Sequence, residues 1–349
     1  MRSFLLGALM LGLSVWWLVS SPAQTGVEAL YSRSLYPAFA KLIVPITNSF
    51  PVSLAGILLV LLPLLWLFWL RIRWRRRTSG SHWLVNSLWG TAVGAAVIFL
   101  LFVSLWGANY RRLPIEALFA LPDTLPIQDD LVVLTDTLMA TIQEGATAPR
   151  RDDVALASVA AAMRQLVFEL TEVTPTLPDR VKRAPAGSLI LLGSASGVAS
   201  PWTLEPHIDG ALPDVSYVAV GAHELAHIAG FAGEADADFI SALAGLRATD
   251  PFARYAVALR LWRSAVAQLP PEAQNSYYEA LPNRAKRDLE AMAEPYQRYQ
   301  PPRFITDIQR RSYDRYLKTQ GVEEGVADYS RTINLLLRAQ SKGILRVGD

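Results

Sequence analysis

The residues best suited to chemistry lie close together in the chain. His223-Glu224-Leu225-Ala226-His227 reads H-E-x-x-H, and Glu234-Ala235-Asp236-Ala237-Asp238 follows as E-x-x-A-D. A helix turns about 100° per residue, so side chains four apart stand nearly one above the other. His223 and His227 would therefore project from one face and could grip one ion. Zinc takes imidazole nitrogen and carboxylate oxygen in a tetrahedral shell, and a catalytic site leaves one position for water. Glu224, beside the first ligand, is placed to act as general base toward that water and then to protonate the leaving amine. Glu234 is the expected third ligand. Asp238, four residues further on the same face, would accept the outward N–H of a ligand histidine and fix its tautomer. Asp236 is the rival third ligand, pointing elsewhere on the helix. H-E-x-x-H also arises in ordinary helices, and Glu234 and Asp238 could be solvated helix charge. A carboxylate motif at workable distance across a Gly-rich turn separates this chain from that case.

The elements that must hold these groups can be outlined. Gly230-Phe231-Ala232-Gly233 offers a helix stop and a tight turn, so a second helix from about Glu234 would pack back on the first. Helical periodicity marks 128–144 and 152–172 before the motif, and 234–248, 251–268, 271–280, 283–297, 304–319 and 323–341 after it, with prolines punctuating several. Ser188-Leu189-Ile190-Leu191-Leu192 reads as a short strand. Val215–Val220 reads as a strand or as the entry to the zinc helix. A strand there would suit an extended peptide, which can add to an exposed sheet edge.

Composition places the rest. Of 349 residues, 52% are hydrophobic and only 18% charged, which is apolar for a soluble enzyme. The excess sits at the N-terminus. Stretches of about 3–20, 51–70 and 83–106 are long and apolar enough to span a bilayer, so residues 1–106 read as a membrane anchor. The first stretch could instead be a signal peptide ending in the small residues Ser21-Pro22-Ala23. Five arginines between Arg71 and Arg77 put that loop in the cytoplasm, which leaves everything after Trp106 outside; Arg111 and Arg112 argue weakly the other way. Prolines make 107–126 a linker, and 127–349 is the catalytic domain. Residues 27–50 form an amphipathic segment, lying at the interface or against that domain. A net charge of +2 gives no field for nucleic acid, and the absence of cysteine excludes thiolate ligands. The expected partners are a lipid bilayer and a protein or peptide substrate; no oligomeric state is implied.

Further polar residues could touch the cleft. His207, in Pro201-Trp202-Thr203-Leu204-Glu205-Pro206-His207, could assist as a donor or ligate, although a turn histidine facing solvent is the simpler reading. Tyr313, Tyr316 and Arg331, with Tyr329, are candidates for stabilising an oxyanion, each of which could equally be a packing residue.

With these residues in view, the chain resembles a bacterial family of membrane proteins of uncharacterised function that carries a zinc-peptidase signature. The likeness runs through Tyr31-Ser32-Arg33 with Tyr36-Pro37, Phe50-Pro51-Val52-Ser53, Asn109-Tyr110-Arg111, Pro201-Trp202-Thr203, the zinc stretch to Phe239, Tyr313-Asp314-Arg315-Tyr316-Leu317-Lys318 and Tyr329-Ser330-Arg331. That family's second zinc helix usually reads E-x-E-A-N. Asp236 and Asp238 depart from it, and the latter brings the segment closer to the E-x-x-A-D of integral-membrane zinc peptidases. The resemblance implies a gluzincin-like site and a mainly α fold: N-terminal transmembrane helices plus an α-rich, zincin-like catalytic domain with a small β element. The expected activity is that of a membrane-anchored zinc metallopeptidase acting on a membrane-proximal or envelope substrate. The alternative is a non-catalytic sensor or scaffold whose zinc joins two helices and is closed by a fourth protein ligand, His207 being the natural suspect.

Overall fold

The computed structural model describes residues 2–20, 22–76, 79–123, 127–193, 195–299, 311 and 331–348. The chain is mainly α. α1 (Arg2–Val19) bends by 118° into a second helical stretch, in which α2 (Gln24–Gly26) runs through a π-wound segment, Val27–Leu35, into α3 (Tyr36–Ser49). The wider π turn brings residues five apart into line, and Glu28 and Arg33 use it to pair at 3.0 Å. α4 (Leu54–Arg75) and α5 (Gly80–Leu105) follow, each started by a serine: Ser53 Oγ accepts the Gly56 N–H, and Ser79 Oγ accepts that of His82. α1 packs on α5 through Phe4 stacked on Trp89.

Among the described residues, three helices are long and apolar enough to cross a membrane: α4, α5 and α8 (Asp152–Thr171). The bent pair Phe4–Val19 and Gln24–Ser49 qualifies as a fourth if taken as one span. α8 has another use for its apolar face, since Leu156, Val159, Met163 and Leu166 are buried in the core.

That core is built around α10 (Asp214–Ile228). Every residue of α10 from Val215 onward is buried, as expected of a helix enclosed on all sides. α8, α11 (Glu234–Arg247) and α12 (Pro251–Val266) pack on it, and α7 (Gln128–Gly145) packs on the far side of α12, joined by α13 (Pro271–Glu279), α14 (Asn283–Arg298) and α15 (Arg331–Ser341). The predicted helix bounds agree with these to within two residues, except at 323–341, where description begins at Arg331; the candidate at 304–319 lies outside the described residues apart from Arg311.

A three-stranded sheet packs along α10. β1 (Lys182–Ala184) pairs parallel to β3 (Pro206–Asp209), and β2 (Gly197–Ala199) pairs antiparallel to it on the other side, so β2 is an edge strand.

Several expectations need correction. Ser188–Leu192 is not a strand: Leu189–Leu192 is a single helical turn, α9, which Ser188 caps by accepting the Ile190 N–H. Asp209 fixes this start by accepting the Gly187 and Ser188 N–H groups and the Ser188 hydroxyl. Of the two readings open for Val215–Val220, the entry to the zinc helix is the one observed: it forms the first turns of α10, where burial on every side overrides β-branched preference. His207 is no exposed turn residue; it lies on β3 and is 5% exposed. The supposed linker is packed too. Gly107–Arg111 is a 3₁₀ turn, α6 (Ile115–Leu118) follows, and Asn109, Arg112, Ile115, Phe119 and Leu121 are buried. Tyr36, Ala40 and Val44 of α3 join the same core, so the 27–50 segment packs against the domain.

Candidate metal centre

α10 carries His223 and His227 one turn apart, with ring planes nearly perpendicular and centroids 4.7 Å apart. Its C-terminus is set by Gly230 at φ +96°, a conformation glycine adopts without a Cβ penalty, and by the Phe231 N–H bonding back to the Ala226 carbonyl. The reversal turns α11 back along α10, so Glu234 at its first position meets both histidines. Glu234 Oε2 lies 3.1 Å from His223 Nε2 and 3.8 Å from His227 Nε2. The three candidate ligand atoms fall within 4.8 Å of one another. Zinc bonded at about 2.0–2.1 Å in a tetrahedral shell separates its ligand atoms by about 3.3 Å, so these spacings fit the ion with small adjustment.

The outer nitrogens are fixed. His223 Nδ1 lies 2.6 Å from Asp238 Oδ1, and His227 Nδ1 lies 2.8 Å from the Phe231 carbonyl oxygen. Each oxygen accepts a hydrogen bond from Nδ1–H, which leaves Nε2 directed inward, the arrangement by which carboxylates and carbonyls orient metal-binding imidazoles. Arg260 of α12 in turn donates to Asp238 Oδ1 at 2.9 Å and to the Ala219 carbonyl.

Electrostatics favour a cation here. Burial alone would depress the His223 pKa, but Asp238 and then Glu234 outweigh it and raise it to about 10. Burial opposes ionisation of Glu234, yet hydrogen bonds from the two imidazoles hold it well below the usual carboxylate range. Asp238 is likewise lowered against its burial, by Arg260 and His223. A field that favours imidazolium also favours a divalent ion. Glu224 behaves oppositely: desolvation raises its pKa over the opposing pull of His223 and His227. Its Oε2 is buried and, among the described residues, has no hydrogen-bond partner. A buried orphan acceptor beside three converging ligands fits a group that awaits a proton.

Glu224 is steered by a residue that no motif marks. A Cβ placed on Gly197 of β2 would lie 2.4 Å from Glu224 Oε1 and 2.8 Å from the His207 carbonyl oxygen. Only glycine lets the edge strand approach the carboxylate this closely. For a zinc peptidase of the kind the motif leads one to expect, Gly197→Ala should retain zinc and lose about 100-fold in peptide hydrolysis, since ångström-scale displacement of a general base costs that much; unchanged turnover would show that Glu224 tolerates movement.

The other candidates are dispersed. His207 Nε2 bonds to Ser53 Oγ at 2.8 Å and is not among the converging ligand atoms. Arg331 pairs with Glu116 at 2.5 Å and lies 3.8 Å from Asp236 Oδ1, so Asp236 faces an arginine. Tyr313, Tyr316 and Tyr329 lie outside the described residues. Sequence reading missed Gly197, Arg260 and the Phe231 carbonyl. Nothing near them in the chain signals the role, since each acts across space. It also missed how the end of α10 is held: Trp106 Nε1 donates to the His227 carbonyl (3.0 Å), Tyr36 OH to that of Ile228 (2.6 Å) and Arg112 to that of Gly230 (2.9 Å). These are terminal carbonyls that the helix itself leaves unsatisfied.

Asp238→Ala should weaken zinc affinity by about 10- to 100-fold, the usual cost of losing a ligand's carboxylate partner. Arg260→Ala should do so less. Competition with a chromogenic chelator measures both, and affinity unaltered in Asp238→Ala would mean that His223 needs no orienting group.

A family model described as "Protein of unknown function (DUF3810)" matches residues 31–337. No curated protein and no solved structure matches the chain.

Proposed function

Because the chain belongs to this DUF3810 family, whose description assigns no activity, we propose its function from the site: a membrane-anchored zinc metallopeptidase with an extracytoplasmic catalytic domain. The observation that carries the reading is the convergence of His223 Nε2, His227 Nε2 and Glu234 Oε2 beside the buried, unpartnered Glu224 Oε2. Zinc held by His223, His227 and Glu234 would supply Lewis acidity to a peptide carbonyl and to water. Glu224 Oε2 takes a proton from the water as its oxygen adds to the carbonyl carbon. It then gives that proton to the amine nitrogen as the C–N bond breaks. Desolvation, which makes Glu224 a stronger base than a solvated glutamate, suits it to both steps. Asp238 and the Phe231 carbonyl hold the imidazoles in register. β2 offers an extended peptide an edge directly beside Glu224.

The membrane reading rests on α4 and α5, which are joined at the arginine-rich end and meet the domain at the other. Positive charge marks the cytoplasmic side, which directs the site outward. The test is metal content with activity. Purified full-length protein should carry one zinc per chain and hydrolyse peptides, lose both on chelation, and regain both with zinc. Full activity after complete removal of zinc would overturn the reading.

A further inference from the structure

α4 and α5 touch in the half nearest the arginine loop. There Trp69 lies against Gly90, Trp66 Nε1 donates to Thr91 Oγ1 at 3.1 Å, and Trp74 meets Trp83 edge-on. Toward the domain they become opposite walls of a cavity of about 1190 Å³. Leu58, Leu59 and Leu62 line one wall; Ile98, Leu101 and Leu105 line the other. Along α4 the cavity runs from Ala55 to Pro63, roughly 12 Å of helix. The walls are exposed, with Leu62 and Leu101 at 45% and 48%.

The roof of this cavity is one face of the sheet. The register places Lys182, His207 and Val198 in a row, and all three line the cavity. In the neighbouring row Ile208 and Gly197 face the other way, with Gly197 against Glu224, while Arg183, at the cavity rim, lays its guanidinium 4.2 Å over the Tyr217 ring. The edge of β2 therefore separates the cavity from the metal centre. Asp209 N–H bonds to the Ser196 carbonyl and Ser200 N–H to that of Glu205. This alternation turns the N–H and C=O of Gly197 and Ala199 outward, away from β3. A chain added there would send successive side chains alternately toward the apolar cavity and toward Glu224.

We propose that the cavity receives the apolar, membrane-embedded end of the substrate polypeptide, so that the substrates are membrane-inserted proteins cut close to where their chain leaves the bilayer. This deepens, and rests on, the peptidase reading. A polypeptide uses both features, filling the apolar walls and then bonding to the strand edge that continues them; an acyl chain has no use for a strand edge. An anionic lipid headgroup would in addition draw on cations not already paired with carboxylates. At the rim, Lys182 is bound to Glu205, and Arg183 is shared by Asp152 and Asp214. Arg180 donates to the Asn48 and Phe50 carbonyls, which occupy its donors without cancelling its charge, so the strand edge is what favours a polypeptide.

The test uses full-length Glu224→Gln protein in phosphatidylcholine vesicles, so that binding is read without turnover. The probes are a polar reporter peptide joined to about 20 apolar residues that carry a photoreactive leucine, the same reporter without the apolar part, and phosphatidylcholine with a photoreactive acyl chain. The tailed peptide should label Leu58, Leu62, Ile98 or Leu101. Leu62→Trp and Leu101→Trp, filling the cavity from opposite walls, should each cut labelling about tenfold, the worth of burying roughly one apolar side chain. Leu65→Trp, on the same helix outside the cavity, should not. Labelling spread evenly around α4, labelling indifferent to both cavity variants, or labelling by lipid that the peptide cannot displace overturns the proposal. Cleavage by the wild type separates the two claims. Equal kcat/KM for tailed and tailless reporters removes the cavity's role and keeps the peptidase; cavity labelling with neither reporter cleaved keeps the docking site and removes the peptidase.

Discussion

Glu224→Gln is expected to keep its zinc and lose about 10²- to 10⁴-fold in peptide hydrolysis, the usual worth of a positioned general base. The substitution changes almost nothing but the chemistry. Glutamine matches glutamate in size and so fits against Gly197, where a larger change would collide. Glu224 is not among the converging ligand atoms, so the ion should stay. What disappears is a buried oxygen that can hold a proton. His223→Ala should do the reverse of sparing the metal: it removes a ligand and leaves Asp238 and Glu234 facing each other across the gap without their shared cation. Metal content and hydrolysis, measured on the same preparations, separate the two variants. Turnover unchanged in the glutamine variant would refute the proposed role of Glu224, whatever the metal content.

Arg112→Ala should destabilise the fold by about 3–5 kcal/mol, the cost of breaking a buried ion pair from one side. Arg112 and Glu28 are paired at 2.8 Å with both side chains about 5% exposed or less. Alanine would leave the buried Glu28 carboxylate with only the more exposed Arg33 as its cation. It would also free the Gly230 carbonyl and remove the guanidinium that lies 4.3 Å over the Phe231 ring. The loss should reach the metal centre, because Phe231 supplies the carbonyl that orients His227. Thermal unfolding in detergent, with and without added zinc, reads both effects: a lower Tm and a smaller zinc-induced rise. Replacing both partners, as Glu28→Gln with Arg112→Met, should recover much of the lost stability, since no charge is then buried alone. A Tm for Arg112→Ala equal to wild type would place the pair outside the stabilising core.

The sequence by itself determined the helices and the candidate ligand cluster. The 128–144, 152–172, 234–248, 251–268 and 283–297 helices were legible because apolar spacing is a local signal that burial then enforces. His223, Glu224, His227, Glu234 and Asp238 could be assembled on paper because four-residue spacing and one glycine-led reversal fix their relations within 16 residues. Helices long and apolar enough to cross a membrane were legible at α4 and α5 for the same reason, as the uncharged runs 51–70 and 83–106. Tertiary structure alone decided the rest. Ser188–Leu192 became a helical turn because Asp209, some 20 residues away in the chain, accepts its N–H groups. Residues 107–123 became core because Arg112 finds Glu28, 84 positions earlier. His207 turned toward Ser53, and Gly197 came against Glu224, only once three strands paired in one register. Local periodicity carries no information about such pairings, because their free energy comes from desolvated contacts between segments that meet only in the folded chain.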